Sequence, residues 1–243
     1  MIANTLRTLY HIALSPVRGG THEERLGSFY RGQADHYDTF RKRMLHGRGE
    51  LIESLPAQKG HVWVDLGAGT GENAEMMGRR LGEFKAVHLV DLCAPLPRVA
   101  RRRIEKNGWT NVQAVHADAI EYRPEEQADL ITFSYSLTMI PDWFAALENA
   151  HAMLKPGGRI GVVDFYVSRK YPDETFVRHS WGTRSFWPLW FASDNVWLNR
   201  DHLPYLCRRF KTLRVDEGRG KLPLMPFVRV PHYRFVGTKP IDA

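Results

Sequence analysis

Cysteine is scarce in this chain: Cys93 and Cys207 are the only two among 243 residues. Two are too few for a disulfide framework, and their spacing is not that of a metal site; both facts fit a reducing compartment. The 11 histidines form no His-Glu-x-x-His or comparable cluster, so no metal is expected. Long apolar runs are missing as well, and none approaches the length of a membrane span. The pattern Gly-x-x-x-x-Gly-Lys-Ser is absent, which argues against a phosphate-gripping loop. No RNA-binding module is visible and nothing suggests stacked aromatics on an exposed sheet, so no nucleic-acid partner is expected.

Basic charge is plentiful. Thirty-four lysines and arginines against 27 acids leave a formal charge of +7. Clusters stand at Arg41-Lys42-Arg43, Arg101-Arg102-Arg103 and Arg208-Arg209. Such a balance favours anionic partners, although two of the clusters fall on helical stretches and read equally as solvated faces. Met1 to Gly20 carries apolar residues at helical spacing, interrupted by Arg7 and His11, with no cleavage site. It makes a poor signal peptide. An interfacial helix and a leader that packs on the domain both remain open.

Val62-Trp63-Val64-Asp65-Leu66-Gly67-Ala68-Gly69-Thr70-Gly71 is the most informative stretch. An apolar run ends in an acid and then in three glycines at alternate positions, and a helix-compatible segment follows. The pattern predicts a buried strand, a tight turn and a helix N-terminus. Glycines let a ligand approach the backbone, and the crevice at the end of such a strand is where doubly wound sheets bind nucleotides. Ala86 to Asp91 is a second strand, and Asp91 lies 20 residues after Gly71. That is close to the offset of about 20 at which an acid caps a ribose. Further strands are expected at Val112–Ala117, Asp129–Tyr135 and Arg159–Phe165, with a helix from Pro141 to Leu154 stopped by Lys155-Pro156-Gly157-Gly158. A helix from Arg200 to Phe210 follows. Lys211–Val215 and His232–Gly237 complete the sheet as an antiparallel pair, and Leu222–Pro231 between them is a proline-broken apolar loop. Alternating strands and helices with short turns give the class α/β with a mostly parallel sheet.

Two flanks surround this core. Ahead of it, Phe29, Tyr30, Tyr37 and Phe40 form an aromatic stripe. After it, Tyr166 to Asn199 carries Trp181, Phe186, Trp187, Trp190, Phe191 and Trp197. Core packing and a pocket role stay open for both. Aromatic faces attract ammonium groups and accept lipid methylenes.

Asp65-Leu66-Gly67-Ala68-Gly69-Thr70-Gly71, Asp91, Asp118-Ala119 and Lys155-Pro156-Gly157-Gly158 together resemble the class I S-adenosylmethionine-dependent methyltransferases. The resemblance implies a Rossmann-like, doubly wound, mostly parallel seven-stranded sheet, with an N-terminal helical lid and an aromatic insertion after strand five. It implies S-adenosylmethionine held by Asp65, Gly67, Ala68, Gly69 and Gly71 at the methionine end. Asp91 with Leu92 would take the ribose, and Asp118 with Ala119 the adenine; Ser134 adds to the set. In many members a leading Tyr-Asp helix pair covers the cofactor, so Tyr30 and Tyr37 become lid residues and Arg41 reaches the cofactor carboxylate. On this basis residues 1–20 are a leader and 21–243 one domain. Its parts are the lid (21–58), the cofactor core (59–165), an acceptor-binding insertion (166–200), and a C-terminal helix and strands (201–243).

A narrower likeness rests on Tyr30-Arg31-Gly32-Gln33-Ala34-Asp35-His36-Tyr37-Asp38, Gly47-Arg48-Gly49-Glu50, Ser134 to Pro141, Val163 to Tyr166, Trp187-Pro188-Leu189-Trp190-Phe191 and Tyr233 to Gly237. These resemble the bacterial diacylglycerylhomoserine N-methyltransferases. The likeness implies three methyl transfers to one nitrogen, giving the betaine lipid diacylglyceryl-N,N,N-trimethylhomoserine. It also implies a pathway partner, the upstream aminocarboxypropyltransferase. Tyr135 is the first candidate to orient the amine, with Ser134, Ser136 and Asp164 behind it. Tyr166, Trp181, Trp187 and Trp190 would wall the ammonium; Arg178, His179 and Arg184 are candidates for the lipid carboxylate. The expected location is cytoplasmic, attached peripherally to the anionic inner face of the membrane through Met1 to Leu14 or Leu222 to Pro231. A quinone or other small-molecule methyltransferase is the alternative, followed by a nucleic-acid methyltransferase or a non-catalytic binding module.

Overall fold

The computed structural model describes residues 20, 21, 23, 24, 44–192, 195–222 and 225–241. Met1 to Leu14 and the expected lid residues Tyr30, Tyr37 and Arg41 lie outside the described residues. Strands β1 (Val62–Leu66), β2 (Ala86–Asp91), β3 (Val112–His116), β4 (Ala128–Ser134), β5 (Leu154–Phe165), β6 (Lys211–Leu222) and β7 (Met225–Thr238) form one sheet. Their order is β3-β2-β1-β4-β5-β7-β6. The first five run parallel, and β7 is antiparallel to both β5 and β6. The expected α/β, mostly parallel seven-stranded sheet is what the chain forms.

All five residues of β1 are buried, as befits a strand covered on both faces. Alternate side chains go to opposite sides. Trp63, Leu130 and Val163 enter one apolar cluster, while Val64, Ile131 and Val162 enter the other. Helices α1 (Arg48–Ser54), α2 (Glu72–Met77), α3 (Pro95–Asn107) and α5 (Trp181–Ala192) feed the first cluster. Helices α4 (Trp143–Met153) and α6 (His202–Arg209) feed the second. Local chemistry sets their ends. Proline opens α3, where no N–H partner is needed. Asp142 caps α4 by accepting from the Ala145 N–H at 3.0 Å.

Two expectations fail here. Leu222–Pro231 is not a loop: from Met225 onward it is β7, and β6 runs on to Leu222. Pro226 and Pro231 sit in β7 before its pairing with β5 begins at His232. There the strand has a ladder neighbour on one side only, so a missing N–H is tolerated. The fourth strand ends at Ser134 rather than Tyr135, because Tyr135 adopts φ +55°, outside the extended region.

Candidate active site

The carboxyl ends of β1, β2 and β4 open onto a single cleft. Gly67 and Ala68 donate to the Val90 carbonyl at 2.8 and 3.0 Å, which folds the glycine turn back over β2. Asp91 then clamps the turn: one carboxylate oxygen accepts from the Gly69 N–H and the other from the Cys93 N–H, both at 2.8 Å. Burial pushes the Asp91 carboxyl up to about 6, and these two N–H groups oppose the shift. At Gly69 an added Cβ would meet open space, whereas at Gly71 it would strike Leu89 at 2.9 Å. The middle glycine therefore faces the ligand space and the last one faces the core.

Gly67, Ala68, Gly69, Asp91, Leu92, Asp118, Ala119 and Ser134, all expected for the cofactor, line the cleft, as do Tyr135 and Ser136. Asp65 and Gly71 stand behind it. Asp65 is fully buried and accepts from Asn73 at 2.9 and 3.1 Å and from the Thr132 hydroxyl at 2.5 Å. Burial raises its carboxyl, while Thr132, Asn73 and the Arg48 charge pull it down. It braces the start of α2 rather than touching a ligand.

The Ser136 hydroxyl donates to the Leu66 carbonyl at 2.8 Å, so its proton is spent on the turn. Ser134 differs. Its hydroxyl is buried in the cleft wall without a hydrogen-bond partner. Tyr135 donates to the His46 carbonyl at 2.5 Å, and its ring meets Phe165 at 4.5 Å. Burial, then the Asp164 charge, raises its hydroxyl well above the ordinary value. It is a phenol with oxygen lone pairs to offer, not a phenolate base. Asp164 lies behind the wall and accepts from Thr138 N–H and hydroxyl at 3.1 and 2.7 Å; burial raises its carboxyl to about 7.

None of the seven expected acceptor residues lines the cleft. Tyr166 points into the second cluster, against Tyr233 and His179. His179 cannot serve as a cation: burial lowers it to about 4, and its Nδ1 accepts from the Ser168 N–H at 3.0 Å. Arg178 lies over the Tyr171 ring, and Arg184 is carried by α5 away from the lining. Trp181 and Trp190 are exposed. Trp187 alone approaches, buried and linked through Phe191 and Phe165 to Tyr135 by ring contacts of 5.8, 4.8 and 4.5 Å.

Sequence reasoning missed Leu45, Arg48, Thr70, Glu72, Cys93 and Met139 in the lining. Arg48 is the important one. It reaches Glu72 at 2.6 Å and Asn73 at 2.7 Å, so a paired cation and anion sit beside the glycine turn. The signal available was an arginine heading a helix just before β1.

Residues 64–158 match a family model described as a methyltransferase domain. The chain carries an S-adenosylmethionine-dependent methyltransferase domain. Demethylmenaquinone methyltransferase of Geobacillus kaustophilus is 26% identical to it over 142 residues, 56% of this chain and 61% of that protein. The enzyme of the same name from Listeria welshimeri is 26% identical over 59% of this chain and 64% of that protein. The chain thus covers less than two thirds of these relatives. Phosphoethanolamine N-methyltransferase 2 of Haemonchus contortus, solved with phosphomonomethylethanolamine and S-adenosylhomocysteine, shares the fold. Its TM-score is 0.65 at 16% identity, over 91% of this chain and 61% of that one. The N-methyltransferase NodS of Bradyrhizobium japonicum does so with TM-score 0.56 at 15% identity, over 84% and 98% of the two chains.

The methyltransferase domain's cleft fits its cofactor on its own evidence. The unpartnered Ser134 hydroxyl, the open space at Gly69, the Asp91 carboxylate and the Arg48–Glu72 pair suit a ligand with ribose hydroxyls and a zwitterionic amino-acid end. Asp118 accepts from the Ile120 N–H at 2.9 Å, which fixes its carboxylate at the far end of the cleft.

Proposed function

We propose that the chain methylates the primary amine of diacylglycerylhomoserine three times, giving the trimethylated betaine lipid. One observation carries the choice of an amine acceptor. Among the described residues lining the cleft there is no histidine or lysine, and the carboxylates of Asp91, Glu72 and Asp118 are each engaged by N–H groups or by Arg48. A phenolic oxygen, ordinarily ionising near pH 10, needs a base before it attacks; an α-amino group with a pKa of roughly 8 already has a neutral fraction at neutral pH. S-adenosylmethionine, when bound, would supply an activated methyl group for displacement by the amine nitrogen.

This chain's residues then have three tasks. Gly67, Gly69, Asp91 and Asp118 would fix the donor, which is a positioning effect. In the first two transfers the lone pairs of Tyr135 or Ser134 accept from the amine N–H and aim the nitrogen lone pair, and the product ammonium sheds a proton to water. The third acceptor is a tertiary amine with no N–H, and no proton is lost in that transfer. The Tyr135 ring in the cleft wall, backed by Phe165 and then Phe191, gives the growing ammonium an aromatic neighbour. The narrower likeness in sequence supports the homoserine lipid, whose supply requires an upstream aminocarboxypropyl transfer.

The names of the relatives favour a second acceptor, a demethylmenaquinol. The test runs both in parallel: purified protein, S-adenosylmethionine and either lipid, followed by mass spectrometry. Mono-, di- and trimethylated homoserine lipid in succession supports the proposal. Methylated quinol alone replaces it with the second reading.

A further inference from the structure

We propose that the outward face of α5 docks on an anionic bilayer surface. The helix is two-sided. Trp187 and Phe191 are buried beneath it, while Trp181 and Leu189 are each 77% exposed, Phe186 47% and Trp190 44%. At 100° per residue, these four exposed side chains fall on one half of the helix, with Gly182 and Ser185 between them. The helix carries one charged residue, Arg184, and it lies on the other half. Trp197, 60% exposed, follows shortly after the helix and is anchored by its backbone N–H, which donates to the Thr138 carbonyl at 2.7 Å.

A contiguous apolar face of this kind marks an interaction site. Its composition selects the occupant. Tryptophan has an apolar body and a polar N–H and concentrates at the membrane–water boundary. A helix with such a face lies in the boundary plane, sunk by about 5–10 Å. Cations precede the helix in the chain. Lys170 and Arg178 both lie over the ring of exposed Tyr171, at 5.2 and 5.4 Å, and Arg178 comes three residues before α5. Asp173 and Glu174 share that loop, yet residues 166–200 hold five lysines and arginines against three acids, in a chain of net charge +7. Among the described residues no helix is long and apolar enough to cross a membrane, so α5 would lie on the surface. The docking face adjoins the catalytic cleft through Trp187, Phe191, Phe165 and Tyr135. This surface differs from the two segments the sequence suggested. Of these, Met1 to Leu14 is outside the described residues, and most of Leu222–Pro231 is sheet.

The inference does not depend on which lipid is methylated, and its test requires no turnover. The full chain is floated with phosphatidylcholine vesicles, with and without phosphatidylglycerol, beside a Trp181→Ser, Leu189→Ser variant. Native protein should float with the anionic vesicles, and its tryptophan emission should be quenched by brominated lipid. The variant should bind about tenfold or more weakly, with an unchanged unfolding midpoint and unchanged S-adenosylmethionine affinity. Equal flotation of the two proteins, or no flotation of the native chain, overturns the proposal. So does a native dimer, seen by light scattering, that the variant converts to monomer, because a second copy would then be the occupant.

Discussion

Gly67 sits where an added Cβ would come within 2.3 Å of the Ser136 Cβ, at a backbone φ of +72°. Ser136 cannot retreat without losing its bond to Leu66. Gly67→Ala should therefore combine about 1–3 kcal/mol of backbone strain with displacement of the turn. We expect S-adenosylmethionine affinity, measured by calorimetry, to fall about tenfold or more; unchanged affinity would show that the turn does not shape the site. Residues of this kind were legible in the sequence, because glycine spacing and a strand-ending acid are local signals. Ser134 was legible only as a position. Its special property, a buried hydroxyl with no partner, depends on what β4 packs against. Tyr135 reads as a strand residue in the sequence because φ +55° for a tyrosine leaves no mark there.

Elements meet across distances that spacing does not encode. Arg48 of α1 pairs with Glu72 of α2, and both side chains are nearly buried, 11% and 4% exposed. Asn73 and Asp65 extend the same network into β1. Removing the cation leaves a carboxylate without its charge partner in a dry setting. Arg48→Met should cost about 3 kcal/mol, a drop in Tm of roughly 6–12 °C for a chain of this size. Adding Glu72→Gln should restore part of it, and a strictly additive double-mutant cycle would show that the pair does not couple. The acceptor candidates fall outside the cleft lining for a related reason. The insertion's aromatic content was plain, but which rings turn inward is decided by packing. Trp187 joins the first cluster, Tyr166 the second, and Trp181 joins neither. The proline rule failed at β7 because it presumes pairing on both sides of a strand.

The molecule as a whole carries opposed proton linkages. His202 is fully buried against Trp143, with no partner for either ring nitrogen, and burial lowers it to about 3. His179 is lowered to about 4. Below pH 6.5 the unfolded chain binds protons that these folded imidazoles refuse, so each lowers stability as pH falls, by about 1.4 kcal/mol per pH unit. Asp91 and Asp164, raised to about 6 and about 7, do the reverse above pH 4, because the folded chain keeps protons the unfolded one releases. Between about pH 4 and 6 the two pairs oppose each other. His202→Leu should unmask the carboxylates: relative to the native chain, its urea-determined stability should rise on acidification below pH 6.5. Parallel pH curves for the two proteins would contradict this. The sheet order also has a consequence in time. Because β7 lies between β5 and β6, the flank of β5 from Arg159 to Phe165 has no hydrogen-bonding neighbour on that side until residues 232–238 leave the ribosome. During that interval the nascent chain displays a bare strand edge, the kind that recruits other strands. A chain ended after Leu222 should keep the whole glycine turn and yet sediment with the aggregates.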